Sequence, residues 1–469
     1  MTAGKENGQS NPNGGSKWLS ADKRGNGLAG ASPGSSITGS NAKPGFVIDI
    51  RKIRPIANAN RKGSVVSNNH SIKFYLSAVL VHIYLISGCT LPRNPVPVAQ
   101  IPDAELVGIS GVRAFAGEVS PVFQQDLIES VRQERPGDFP LKPDGSTSYS
   151  ALALSGGGAN GAFGAGFLSG WTEAGTRPEF KLVTGISTGA LIAPFAFLGP
   201  EYDEILRRDY TTITTRKIFV PRNFVSLLWN ESLEDTAPLA NFIESEMNEQ
   251  VMQAIAEEHN HGRRLYVGTT NLDAQRLVIW NMGAIAASGH PGSLKLFHKV
   301  LLASASIPGA FPPVYFKVEV DGKLYDEMHV DGGTITEVFF YGLVVDLPAA
   351  RKESFGQKTP KAGGAIYIIR NGKVGATPEQ VRRSLPSIVR RAITTLTRAH
   401  GMEDLYRIYV ITEQDQIDFN YVGIPQDYVS ESTEPFDPAE MTRLFDLGFE
   451  MGKSGDKWHK APPGLDIAE

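Results

Sequence analysis

SGGGANGAFGAGFLSGWTEAGTRPEFKLVTGISTG, residues Ser155 to Gly189, is the stretch on which the reading of this chain turns. The short apolar run Ser150-Ala-Leu-Ala-Leu154 enters it and reads as a buried strand. Gly156, Gly157, Gly158 and Gly161 then allow tight or positive-φ backbone with N–H groups exposed, and Ala162 to Trp171 continues as a helix. A second strand, Lys181-Leu-Val-Thr184, runs into Gly185-Ile-Ser-Thr-Gly189, followed by an apolar helix, Ala190 to Leu198. Strand, sharp turn and helix with a serine at the apex is the geometry of a nucleophile elbow. A glycine-rich, anion-receptive loop beside such a serine points to acyl transfer.

The rest of the chain narrows the classes available. At 469 residues it accommodates a large α/β domain with appendages. A net charge of −4 with dispersed basic residues gives no footprint for nucleic acid. The single cysteine, Cys89, excludes an intrachain disulfide and a cysteine-based metal site; no metal or cofactor is expected.

Residues 1–72 read as a disordered, basic N-terminal extension, poor in apolar residues over the first 45. Residues 73–89 carry an apolar run, Phe74 to Ile86, that ends in Ser87-Gly88-Cys89, and fit a secretory signal better than a membrane span. Ile86-Ser-Gly-Cys89 resembles the bacterial lipobox, which implies lipidation at Cys89, a membrane anchor and a place in the cell envelope, with Thr90 favouring the outer membrane. The length of the basic region before it raises a later translation start, at Val65 or Val66. Residues 90–148 form a proline-rich tether and helical lead-in, with Ser120-Pro121 opening a helix.

Beyond the elbow, Phe219 to Leu239 holds large apolar residues (Phe224, Val225, Leu227, Leu228, Trp229) that suit either a lid or core packing. A single helix is expected over 237–255, a hairpin around Asp321-Gly322, a short strand at Met328–Val330 leading to Asp331-Gly332-Gly333, a helix from Pro378 to about Ala399, a strand at Tyr406–Thr412 and a mobile tail over 456–469. The alternation of strand and helix gives an α/β fold, a mostly parallel sheet with helices on both faces.

The serine needs a proton acceptor. Asp331, at a strand end and followed by two glycines, is one candidate; the histidines after Ser187 (His259, His261, His290, His298, His329, His400 and His459) sit in no motif. Gly156-x-Gly158-x-x-Gly161 also fits a dinucleotide fingerprint, but that reading needs an acid at the end of the next strand, where Gly185-Ile-Ser187 stands.

Four blocks make the chain resemble the patatin-like phospholipase family over about residues 149–346: Ser155-Gly-Gly-Gly-Ala-Asn-Gly161, Gly185-Ile-Ser-Thr-Gly189, Ala303-Ser-Ala-Ser-Ile-Pro308-Gly-Ala-Phe-Pro-Pro313 and Asp331-Gly332-Gly333. The resemblance implies a three-layer α/β core over 149–346, completed by 347–455. It also implies a Ser187–Asp331 dyad without histidine, an oxyanion hole drawn from Gly156, Gly157, Gly158, Ala159, Asn160 and Gly161, support from Gly185, Gly189, Pro308, Gly332 and Gly333, and a lipid or other acyl-ester substrate. This chain departs from the family in two places. Asn160 stands where a basic residue is usual, and Thr334-Ile-Thr-Glu337 follows the aspartate block. The competing readings are a histidine-dependent α/β-hydrolase and a non-catalytic envelope lipoprotein that keeps the fold.

Overall fold

The computed structural model describes residues 91–223, 230–341, 344–455 and 457–465. The N-terminal extension, the signal segment with Cys89, the lid candidates Phe224 to Trp229 and the end of the tail lie outside the described residues.

In chain order the strands are β1 (Glu105–Leu106), β2 (Arg113–Phe115), β3 (Ser150–Leu154), β4 (Leu182–Gly185), β5 (Val220–Pro221), β6 (Glu234–Asp235), β7 (Arg264–Asn271), β8 (Arg276–Asn281), β9 (Val314–Val320), β10 (Lys323–Asp331), β11 (Ala365–Arg370) and β12 (Asp418–Gly423). The helices are α1 (Pro121–Arg132), α2 (Gly161–Glu173), α3 (Thr188–Leu198), α4 (Asp203–Thr212), α5 (Thr215–Ile218), α6 (Ala237–Glu246), α7 (Glu249–Asn260), α8 (Met282–Ala287), α9 (Ser293–Ser304), α10 (Leu347–Phe355), α11 (Leu385–Asp415) and α12 (Pro438–Ser454).

The main sheet runs β1-β9-β10-β7-β4-β3-β11-β12, with β8 beside β7 and β2 beside β8. Its centre, β7-β4-β3-β11-β12, is parallel throughout. The flank through β9 and β10 is antiparallel. Strand β3 is buried along its whole length, as a strand covered on both faces must be. Its residues divide by the two-residue period: Leu152 and Leu154 join one apolar cluster, Ala151 and Ala153 the other. The result is three layers with a sheet in the middle. β11 and β12 extend the same sheet, so residues beyond 346 complete one core.

One close contact decides how near α2 sits to its neighbour. A Cβ on Gly166 or Gly170 would come within 2.0 Å of the carbonyl oxygens of Phe445 and Phe449 on α12. In return, Gly448 and Gly452 lie against the carbonyls of Phe163 and Phe167, where a Cβ would approach to 2.1 and 2.2 Å. Four glycines at four-residue spacing thus let two backbones touch, and α2 is held directly behind the glycine-rich loop.

The structure corrects four local expectations. The helix over 378–399 and the strand at 406–412 are one helix, α11, because Leu405, Ile408 and Thr412 recur at helical spacing and face the core. Tertiary burial here overrides the strand preference of Tyr406-Arg-Ile-Tyr-Val-Ile. The real strand, β12, follows once Gln416 closes the helix in the left-handed region at φ 53°. The helix over 237–255 is broken at Met247, and Asn248 caps α7 by accepting from the N–H groups of Gln250 and Val251. The Met328–Val330 strand is the end of the longer β10, paired with β9 across the Asp321-Gly322 turn. The tail is not loose over its described part: Trp458 packs against Phe167, Trp171 and Tyr367, and His459 pairs with Tyr421.

Candidate active site

Parallel strands deliver their C-terminal ends to one edge of the sheet, and the functional candidates gather there. β4 ends at Gly185, and the chain then reverses into α3 through Ser187, whose backbone sits at φ 54°, ψ −124°. A non-glycine residue at positive φ costs roughly 1–3 kcal/mol and is kept only where neighbours enforce it. They do so here. A Cβ on Gly185 would lie 2.4 Å from the Gly189 carbonyl, and one on Gly189 would lie 2.4 Å from that of Leu154. The Ser187 N–H donates to Ser304 Oγ (3.0 Å), and that hydroxyl donates to the Gly268 carbonyl (2.7 Å). The elbow is thereby fastened to both α9 and β7.

The glycine-rich loop leaves the end of β3 and passes over the serine. A Cβ on Gly156 would stand 3.3 Å from Ser187 Cβ. Its N–H donates to the Glu337 carbonyl (3.1 Å), which fixes the loop rather than leaving a donor for a ligand. Gly157 and Gly158 take φ 153° and 57°, and among the described residues no acceptor engages their N–H groups. Asn160 closes the turn by donating its N–H to the Gly157 carbonyl, with no side-chain bond to the start of α2. Gly161 is required by space, since a Cβ there would meet Thr188 Oγ1 at 2.3 Å.

Asp331, the last residue of β10, comes to the same place. Its N–H donates to the Ser306 carbonyl, two residues before Pro308 (2.8 Å), and its Oδ1 accepts from the Gly333 N–H (2.8 Å). The Ser187 side chain stands close enough to act on its carboxyl. Burial raises the Asp331 carboxyl to about 7, with the Ser187 and Gly333 donors opposing the rise. Gly332 packs against Ile186 and the Gly268 carbonyl, which holds Asp331 beside the elbow.

Two contributors were not singled out from sequence as site residues. Glu337 is buried, and burial raises its carboxyl to about 8; Arg370 pulls the other way, while Asp331 and Asp404 add to the rise. Its oxygens would be 3.3 and 3.4 Å from a Cβ on Gly156, and Oε1 2.7 Å from one on Gly333, so it is wedged between the loop and the aspartate turn. Asp404 of α11 accepts from the N–H groups of Glu337 (2.7 Å) and Val338 (3.1 Å). Asn371, just past β11, is the second. Its Nδ2 donates to the Ser155 carbonyl (2.9 Å), its N–H to Ser155 Oγ (2.8 Å), and its Oδ1 accepts from the Gly164 N–H (3.0 Å). An asparagine at a strand end carries no motif, so only the fold reveals that it pins the loop.

The histidines go elsewhere. His329 is fully buried, sharing a hydrogen bond with Thr269 and pairing with Glu327. Among the described residues no histidine bonds to Ser187. Beside the elbow, Thr188, Leu191, Phe195, Tyr210, Ile213 and Leu301 line an apolar cavity, with Tyr210 Oη 2.6 Å from Thr188 Oγ1. Another apolar cavity opens at the opposite ends of β3, β4 and β11, near Lys181 and Phe340.

A family model described as patatin-like phospholipase matches residues 152–343. No curated protein matches the chain at a significant level. Among solved structures, the crystal structure of VipD from Legionella pneumophila is similar at 12% identity over 69% of this chain and 70% of that one, with a TM-score of 0.31. A likeness of that size carries no functional inference.

Proposed function

We propose that this chain, whose residues 152–343 match a patatin-like phospholipase model, is a lipid acyl hydrolase in which Ser187 and Asp331 form the catalytic dyad. The observation that carries the reading is a buried carboxyl, raised to about 7 by burial, brought beside a serine held at a strained elbow. Ser187 Oγ attacks the ester carbonyl carbon while its proton passes to Asp331. The negative charge on the former carbonyl oxygen is met by the N–H groups of Gly157, Gly158 and Ala159. Collapse of the tetrahedral intermediate expels the alcohol, which takes the proton back from Asp331, and leaves an acyl-serine. Water, deprotonated by Asp331, attacks the acyl carbon, and Ser187 Oγ leaves with that proton as the acid is released. An aspartate near neutrality suits a base that must both take and return a proton at working pH.

Asn371 and Glu337 support the reading by holding the loop that supplies the oxyanion donors. The cavity beyond Thr188 is the natural place for the acyl chain, because it is apolar and is lined by the residue that follows the nucleophile. We also propose anchoring by a lipid on Cys89 and a cell-envelope location. Palmitate incorporation that disappears in Cys89→Ala supports this anchor; incorporation that persists refutes it.

The dyad is tested by ester hydrolysis over a phospholipid panel. Ser187→Ala and Asp331→Asn are each expected to lose about 10³-fold or more in kcat while keeping the wild-type circular dichroism. His329→Gln should retain activity wherever it folds. Activity in both dyad variants would refute the mechanism.

A further inference from the structure

The first half of α11 presents an apolar face that nothing among the described residues covers. Leu385, Ile388, Val389, Ala392, Ile393 and Leu396 recur at intervals of three and four and fall within one arc of roughly 140° at 100° per residue. Leu385 is 75% exposed, Ile388 51% and Leu396 59%, and none of these residues belongs to either core cluster. The other side of the same turns carries Ser387, Arg390, Arg391, Thr394 and Arg398. Over residues 376–400 five arginines stand against one acid, Glu379, in a chain whose net charge is −4. Glu379 pairs with Arg390 and Arg391, and Arg382 and Arg383 are exposed just before the helix. The second half of α11 is anchored: Leu405 and Ile408 are buried and Asp404 holds the backbone of Glu337. The exposed half therefore projects from an element that also holds the backbone of Glu337 beside the candidate active site.

We propose that this half-helix docks on an anionic lipid surface, its aliphatic face entering the headgroup boundary and its arginines meeting the lipid phosphates. A helix with an apolar stripe and arginines on its polar side is the form that lies in a membrane interface. Arginines at both ends of the stripe can reach outward while their stems remain in the apolar layer. A second copy of the chain is the poorer occupant, since a two-fold contact across this face would bring the same arginines together. The stripe also lacks the aromatic anchors on which protein interfaces concentrate their energy. The inference does not depend on which residue attacks the ester.

The test is co-sedimentation of full-length Ser187→Ala protein, in a Cys89→Ser background, with vesicles of phosphatidylcholine alone or mixed with phosphatidylglycerol. The protein should bind the mixed vesicles, less well as salt rises, and Ile388→Glu/Leu396→Glu should weaken binding at least tenfold. With Ser187 restored, that double variant should hydrolyse a water-soluble short-chain ester as the parent does, which separates loss of docking from loss of the site. Arg382→Gln/Arg383→Gln, at exposed positions, should reduce the preference for anionic vesicles and serves as the test if the first pair misfolds. Unchanged binding in both variants, no binding by the parent, or a parent dimer that Ile388→Glu/Leu396→Glu converts to monomer would each overturn the proposal.

Discussion

Ser187, Asp331 and Glu337 illustrate how burial, rather than charge pairing, sets the chemistry of this site. Both carboxyls are raised by desolvation, Asp331 to about 7 and Glu337 to about 8. In the proposed mechanism Asp331 must be ionised, so kcat/KM should climb with pH and level off above a midpoint of about 7; a pH–rate profile on a soluble ester measures it. For stability the sign is opposite. A carboxyl whose folded value lies above its unfolded value contributes stability that is complete below about pH 4 and is lost as pH rises through the folded value. Asp331→Asn should therefore abolish activity yet raise the melting temperature relative to wild type more at pH 8 than at pH 5. Equal shifts at the two pH values would contradict the buried, raised aspartate. Glu327 behaves in reverse: burial opposes, but His329 and Arg113 hold it down to about 2, so its stabilisation is present above the ordinary carboxylate range and lost in strong acid.

Much of this residue-level picture was legible beforehand, because glycine spacing and an aspartate before two glycines are local signals. Gly185 is needed by a backbone contact within the elbow itself, and Gly189 by the carbonyls of Leu154 and Ser155 at the end of β3. Glu337 and Asn371 were not legible as site residues, since what matters about them is a contact with a loop some 180 to 216 positions away. Nor could sequence show that the Gly156 N–H is spent on Glu337.

At the scale of elements, the α2–α12 contact is the most exacting feature. Its glycines are too far apart in the chain to announce a pairing, yet the separation of the two helices depends on them. Gly448→Leu should destabilise the protein by about 3 kcal/mol or more, because overpacking against a carbonyl cannot be relieved by a rotamer change. Thermal melts monitored by circular dichroism would show it. Gly455→Ala, at a positive-φ position with open space around it, should cost far less. The misread region 406–412 teaches the complementary lesson. A run of β-branched and aromatic residues forms helix when its burial pattern has helical spacing, and no local propensity reveals which partner will cover it.

At the scale of the molecule, three chain segments far apart in sequence meet at one edge of the sheet: the turn after β3, the elbow after β4 and the end of β10, with the turn after β11 bracing them. The parallel centre brings the turns after β3, β4 and β11 together, because neighbouring strands present the same end, and β10, antiparallel to β7, ends with Asp331 opposite Thr269. The proposed acyl chain lies in the apolar cavity that Thr188 lines beside the elbow. Leu191→Trp, which fills that cavity, should shift preference toward short acyl chains, lowering kcat/KM for long-chain esters about tenfold or more while sparing butyrate esters. A uniform loss across chain lengths would place the acyl chain elsewhere.

The central claim, a serine activated by an aspartate without histidine, is tested most directly by fluorophosphonate labelling followed by peptide mass spectrometry. A single adduct on Ser187 is expected, formed at wild-type rate in His329→Gln and slowed at least a hundredfold in Asp331→Asn. An adduct on another residue, or undiminished labelling in Asp331→Asn alongside its loss in a folded histidine variant, would contradict the account.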